Sequence, residues 1–341
     1  MTNKASLAQP PSAFSANDDQ SVNGLVSVLV RSMARITLQS ALDSAAAQDY
    51  PDLEIVVVSA IGADHPPLPE RWNGRVLRLL PSELPLSRPA AANRLLAEAR
   101  GEFVIFLDDD DQWRPWHLST LVHALRSSPE VSLAYSRAMV RDEIGRNRGA
   151  LGVRAHPLTF AEQSPLAIHT ALFRSTLLAH PSVRFDESLD VLEDLDFLIA
   201  CAAQTPFAFV PEVTAIWYAA SGESGHGFGA NATSGARERG IVHIREKWAH
   251  QFARWQAEPM GQLDLAELYL RNGDLIRAER MLSIASKNEW KEQTLLNRFL
   301  MLCQETGLVT PAADSPTAAA GDRIVQIKTA VRTAATTSQK A

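Results

Sequence analysis

The chain has 341 residues, 46% of them hydrophobic and 21% charged, with a formal net charge of -6. That composition is globular, long enough for one large domain or for one of ~250 residues with appendages, and its acidic balance gives no electrostatic case for nucleic acid. Cys201 and Cys303 lie far apart without a Cys/His cluster, which argues against a disulfide framework or zinc site and for a reducing, cytoplasmic setting.

Taken in order, residues 1–23 are rich in Ser, Ala, Asn and Asp and lack an apolar segment, so a disordered leader is predicted rather than a signal peptide. Residues 25–30 read as a strand. Residues 37–48 read as a helix on the 3–4 spacing of Leu38, Leu42 and Ala45, ended by Tyr50-Pro51. A second apolar strand, 53–58, completes a βαβ unit and implies a parallel crossover. A proline-rich loop, 59–71, leads to a short strand at 76–80. An Ala-rich helix is predicted over 89–100, with Gly101 as its stop.

Residues 103–107 are five consecutive apolar side chains that run into Asp108, Asp109, Asp110 and Asp111. An unbroken apolar run suits a strand buried on both faces, and ligands of open α/β sheets bind outside the carboxyl ends of such strands. Four adjacent carboxylates with no basic neighbour before Arg114 favour a hard divalent cation. One or two would be enough for a charged turn ahead of a helix. Pro115 is expected at the first position of the next helix, which carries Leu118, Leu121, Val122 and Leu125.

Beyond it the pattern becomes more antiparallel: a strand over 131–140, a strand running into a helix at 170–178, and strand-like stretches at 207–210 and 213–218. Glu193-Asp194 opens an apolar helix. Residues 221–231 hold four glycines and His226 and are predicted to be mobile. Residues 262–287 read as a helical hairpin turning at Asn272-Gly273-Asp274, similar to one tetratricopeptide unit. One unit alone cannot bury a core, so it is expected to dock on the preceding domain or a protein partner, with Trp248 and Trp255 as candidate docking residues. No apolar run reaches the ~18 residues of a membrane span, which leaves peripheral contact with the inner face of a membrane. The expected organisation is a leader (1–23), a main domain (24–250), a helical extension (251–306) and a disordered tail (307–341).

VSVLV at 26–30, SALDSAAAQDYPDLEIVVV at 40–58, AANRLLAEARGEFVIFLDDDD at 91–111 followed by Pro115, and LEDLDF at 192–197 stand in one order. Together they resemble the family-2 glycosyltransferases over about residues 25–228. The resemblance implies a GT-A fold: α/β, Rossmann-like, with a mostly parallel central sheet, helices on both faces and here a C-terminal helical hairpin. It further implies a nucleotide-sugar donor, Mn2+ or Mg2+, and transfer with inversion to a saccharide, lipid-linked glycan or protein acceptor, as in glycan or cell-surface polysaccharide synthesis.

By the same resemblance Asp108-Asp109-Asp110 is the family's DxD motif. Asp110 would bind the metal, Asp108 the metal sphere or the ribose, and Asp109 the donor. Spacing i, i+2 at a strand end suits this, because alternate side chains share a face. Asp194 falls on the family's general base, its alternative role being a helix cap. Asn93 falls beside the nucleotide, or satisfies a nearby loop. Arg31 and Arg35 follow the first strand, where they would meet phosphate or stand solvated. His226 would add a metal ligand or touch the diphosphate, or stay exposed. Two departures matter. Ser59-Ala60-Ile61-Gly62 replaces the acidic residues that read the base, which leaves Ser59 as the candidate nucleotide-sugar contact there, and Arg31-Ser32-Met33-Ala34 replaces the usual first loop. Donor preference is therefore not transferable, and a non-catalytic nucleotide-sugar-binding or assembly protein of the same fold is the alternative.

Overall fold

The computed structural model describes residues 22–142, 144–219, 235–288 and 293–308. The leader, the tail beyond residue 308, the glycine-rich stretch and His226 lie outside the described residues. The first half runs β1 (Val22–Ser32), α1 (Leu38–Ala46), β2 (Leu53–Ser59), β3 (Arg71–Trp72), β4 (Arg75–Leu80), α2 (Arg88–Glu98), β5 (Gly101–Asp108), β6 (Gln112–Trp113) and α3 (His117–Ser127). It continues through β7 (Leu133–Arg141), β8 (Asn147–Leu151), β9 (Ala171–Arg174), α4 (Glu193–Ala202) and β10 (Phe207–Tyr218).

These strands form one sheet in the order β3-β4-β2-β1-β5-β9-β7-β10-β6, with β8 pairing β7. β4, β2, β1 and β5 are parallel. β9 lies antiparallel to both β5 and β7, and β10 runs parallel to β7. All seven residues of β2 are buried, as the unbroken apolar run requires for a strand covered on both faces. One face packs on Leu38, Leu42, Leu118, Leu121 and Leu125 of α1 and α3. The other packs on Leu95 and Leu96 of α2 and on Phe197 and Leu198 of α4. Phe106 of β5 touches the rings of Phe173, Phe185 and Phe197, tying the strand that carries the aspartates to α4.

Helices α5 (Ala236–Lys247), α6 (Ala249–Gln256), α7 (Pro259–Arg271), α8 (Leu275–Ala285) and α9 (Gln293–Glu305) follow. Trp255, Leu265, Tyr269 and Ala278 join the core of the second face. A smaller core of Leu263, Ala266, Leu282, Ala285, Phe299 and Leu302 lies among α7, α8 and α9. The backbone N–H of His156 donates to Asp264, and the His156 ring meets Glu258 at 2.8 Å. The hairpin is thus bonded to the sheet-bearing part of the chain. Among the described residues no helix is long and apolar enough to cross a membrane.

Three local expectations are corrected. Gly101 does not stop α2: the helix ends at Glu98, Ala99 is already extended, and Gly101 opens β5. A Cβ there would lie 2.6 Å from the Leu25 carbonyl oxygen and 2.7 Å from the Ser27 nitrogen, so close backbone approach of β1 demands the glycine. Pro115 does not start α3, because residues 112–113 first pair with β10 and Pro115 O accepts from Asp49 N at 2.8 Å. Residues 207–218 are one strand, whose register shifts around Pro211, the residue with no N–H to give the ladder.

Gly101→Ala is expected to destabilise the fold by about 1–3 kcal/mol, the usual cost of overpacking a filled interior. Urea unfolding would show a lower midpoint at unchanged slope; an unchanged midpoint would refute the packing account.

Candidate functional site

β1 and β5 are neighbours, and their register places Arg31 beside Asp108. Arg31 bonds Asp108 Oδ1 through Nη2 at 2.7 Å and Nε at 3.2 Å, and reaches Glu193 Oε1 through Nη1 at 2.9 Å. Arg35, on the loop after β1, bonds Asp109 Oδ1 at 2.5 Å and Asp110 Oδ2 at 3.2 Å. Met33 N donates to Asp109 Oδ2 at 2.7 Å. The aspartates are therefore not without basic neighbours. Their partners come from 74 to 77 residues upstream.

These groups line a cavity of about 370 Å3, with Asp111, Asp194, Arg88, His169 and Trp217. Glu193 and Asp194 reach it because Leu192 adopts a left-handed conformation (φ 67°) just ahead of α4. A left-handed leucine costs ~1–2 kcal/mol and persists only where its surroundings enforce it. The N-cap position is Leu192 itself, whose side chain makes no cap hydrogen bond. Glu193, 3% exposed, is held by Arg31, whereas Asp194 is half-buried and accepts from Leu195 N at 2.8 Å.

Burial opposes ionisation of Asp108, but the charge and hydrogen bonds of Arg31 outweigh it and hold this carboxyl below its usual range. For Asp110, burial and then the negative charge of Asp108 push the carboxyl up to about 6 against the pull of Arg35. Asp111 is raised well above the ordinary range by burial and by Asp110 and Asp108. Its Oδ1 accepts from Tyr218 N at 2.9 Å and its Oδ2 lies 3.0 Å from His169 Nδ1, so it pins the end of β5 to β10 and to the turn before β9. His117 below is pushed down to about 3, first by burial, and is neutral at physiological pH; Nδ1 meets Thr214 at 2.6 Å.

Oxygen donors with uncompensated negative charge suit a hard divalent cation. Among the described residues no three His, Cys, Asp or Glu side chains converge to enclose one. Asp108 and Asp110 fit the mode in which one or two carboxylates hold the ion and substrate phosphates and water complete its shell.

Two expected donor contacts fall elsewhere. Asn93 donates to Phe185 O and Glu187 Oε1 and accepts from Phe185 N, all at 2.9 Å, clamping the loop before α4. Ser59 Oγ donates to Gly62 O at 2.6 Å and fixes the turn after β2. Neither lines the cavity, whereas Ala60 and Ser87 do. Sequence reasoning missed His169, Trp217 and Arg88, which reach the cavity through tertiary placement alone.

The model for the glycosyl transferase family 2 matches residues 73–177, a stretch that contains all four aspartates but neither Arg31 nor Glu193-Asp194. Over 77 residues the chain is 35% identical to amylovoran biosynthesis glycosyltransferase AmsB of Erwinia amylovora, which takes in 21% of this chain and 26% of that protein. The alignment thus spans about a quarter of that relative. Among solved structures, S. aureus TarS 1-349 superposes with a TM-score of 0.51 at 15% identity over 91% of each chain. The same protein in complex with UDP-GlcNAc gives 0.52 at 16% identity, over 91% of this chain and 92% of that one. At such identities the likeness is one of fold, and the fold is GT-A.

A carboxyl whose folded-state pKa is raised binds its proton more tightly folded than unfolded, so its contribution is full at low pH and is lost as pH rises. Asp110 should therefore make the metal-free protein about 2 kcal/mol less stable as pH rises from ~4 through about 6. Asp110→Asn should flatten that part of the profile, and an unchanged profile would contradict the electrostatic assignment. Arg31→Ala should cost about 3–5 kcal/mol by leaving Asp108 and Glu193 buried without their cation. Arg31→Lys should recover only part of the loss, since it cannot span both acids.

Proposed function

We infer that this chain, which carries a family-2 glycosyltransferase domain on a GT-A fold, moves a sugar from a nucleotide-sugar donor to an acceptor hydroxyl with inversion. The observation that carries the reading is that two acidic centres, Asp108/Asp110 at the end of β5 and Asp194 at the start of α4, line one cavity. In this reading Asp108 and Asp110 hold a Mg2+ or Mn2+ ion. When bound, that ion neutralises charge on the leaving nucleoside diphosphate as a Lewis acid. Arg31 and Arg35 add charge-assisted donors on the same side.

Asp194 takes the proton of the acceptor hydroxyl as that oxygen attacks the anomeric carbon. Glu193 is the poorer base, since Arg31 holds it and it is almost wholly buried. The identity of the nucleotide is set around Ala60, Ser87 and Arg88 rather than by acidic residues after β2. The setting is cytoplasmic glycan or cell-surface polysaccharide synthesis, with residues 24–250 as the catalytic part and 251–306 as a helical extension.

The occupation of all three DxD carboxylates by Arg31 and Arg35 favours one competing reading, a nucleotide-sugar-binding or assembly protein without turnover. A thermal-shift panel of nucleotide sugars with and without Mn2+ separates the two. The transferase reading expects a metal-dependent shift with one nucleotide class, at least tenfold weaker binding in Asp110→Ala, and unchanged binding in Asp194→Asn. It further expects transfer in Asp194→Asn to fall by about 10²–10⁴. No shift with any nucleotide sugar would sink it. A metal-dependent shift without turnover over a broad acceptor panel would favour the binding protein.

A further inference from the structure

Asp194 and Trp217 also line a second cavity, of about 330 Å3, so the two cavities share that part of their walls. The volume is at the lower end of the roughly 300–1,000 Å3 typical of ligand sites. Separate parts of the chain build its wall: Phe160 and Leu166 ahead of β9, Leu192 and Leu195 at the start of α4, and Ile241, Ile244 and Phe252 from α5 and α6. Arg237 and Arg245 of α5 line the same space, and 3–4 spacing puts Arg237, Ile241 and Ile244/Arg245 on one side of that helix. Arg245 Nη2 donates to Ala161 O at 3.2 Å, which fixes its guanidinium at the wall. The other acid there, Glu162, faces Arg277 at 3.4 Å.

We propose that this second cavity holds the acceptor, and that the acceptor is an anionic amphiphile. Its hydrocarbon part lies on the Leu/Ile/Phe wall, its anionic group meets Arg237 and Arg245, and its hydroxyl reaches Asp194. The proposal rests on the transferase reading and adds the acceptor class to it. A bare saccharide carries hydroxyls on every side, and those facing leucine and isoleucine would lose water without gaining partners. A hydrocarbon segment loses nothing there and is driven in by leaving water. Two guanidiniums beside that wall select against a neutral amphiphile. In the transfer step the acceptor oxygen bonds the anomeric carbon and its proton passes to Asp194. The bond from that carbon to the diphosphate oxygen breaks, and its electron pair leaves on the nucleoside diphosphate.

Binding of small probes to the full chain, followed by calorimetry and tryptophan fluorescence, tests this without knowledge of the natural acceptor. Decyl phosphate below its micellar concentration is expected to bind at least tenfold tighter than octyl glucoside, inorganic phosphate or glucose. Ile241→Glu should weaken decyl phosphate at least tenfold, and the double variant R237A/R245A at least threefold. Both should leave metal-dependent nucleotide binding within twofold of wild type, which reports a folded protein with an intact donor side. Equal decyl phosphate affinity in wild type and both variants overturns the proposal, as does tighter binding of glucose, or binding that appears only with micelles or anionic vesicles. Absence of nucleotide binding in the wild type would instead overturn the transferase reading, whatever the amphiphile does.

Discussion

The contact on which this molecule depends is the guanidinium of Arg31 set between Asp108 and Glu193. It joins the end of a central strand to the first turn of a helix on the far side of the cavity. Without a cation at that point, like charges a few ångströms apart at low effective dielectric would drive the two elements apart. Arg31 keeps its charge under these conditions: burial alone would lower its pKa, but Asp108 and Glu193 raise it well above its usual range. The side chain is 12% exposed, so screening by salt weakens the contact little. Arg35 repeats the arrangement on the loop after β1, between Asp109 and Asp110.

Even so, the balance stays negative. Six carboxyl groups line the first cavity against the guanidiniums of Arg31, Arg35 and Arg88, and with Asp111 protonated the acids still outnumber the cations. A cavity of that sign repels a nucleoside diphosphate unless a further cation arrives with it. This, rather than the motif by itself, is the strongest physical support for the Mg2+ or Mn2+ reading. The elevated pKa of Asp110 expresses the same deficit as proton affinity. In the proposed metal reading, proton and metal would compete for this carboxylate, while Asp108 is held ionised by Arg31.

The strands and helices that place the site were legible wherever burial on both faces wrote an unbroken apolar run, as in β1, β2 and β5, wherever 3–4 spacing marked α1 and α3, or where Ala-rich propensity marked α2. The antiparallel insertion of β9 between β5 and β7 left no such trace, because four residues carry no period and pairing partners are chosen in three dimensions. The acidic centres were legible as types, since carboxylates at a strand end and at a helix start stand out from their neighbours. Their partners were not. Arg31 looked like a free donor for phosphate until strand order set it beside Asp108. Asn93 and Ser59 were candidate donor contacts, yet their hydrogen bonds are spent on loops. The place of Asp111 emerges only with Tyr218 and His169, residues more than fifty positions away.

The helices after β10 bear on the same geometry from behind. Asp196, on α4 and wholly buried, accepts from Lys247 Nζ and from Trp248 Nε1, both at 2.7 Å. Lys247 also meets Asp186 at 2.8 Å, and His243 meets that carboxylate at 3.0 Å. Burial opposes ionisation of Asp186, but the hydrogen bonds from Lys247, Ser188 and His243 pull its pKa well below the usual range, so the pairing favours the charged forms. A buried ion pair adds little net stability over a well-packed apolar contact, but it tolerates few alternative geometries. The consequence falls on α4. Arg31 fixes its first turn from the sheet side through Glu193, and Lys247 at the end of α5 and Trp248 just after it hold the helix through Asp196. Asp194 lies between these two anchors, with its own carboxylate committed to neither. That is the arrangement the general base proposed above requires: a backbone held on both sides and a carboxylate engaged by neither anchor.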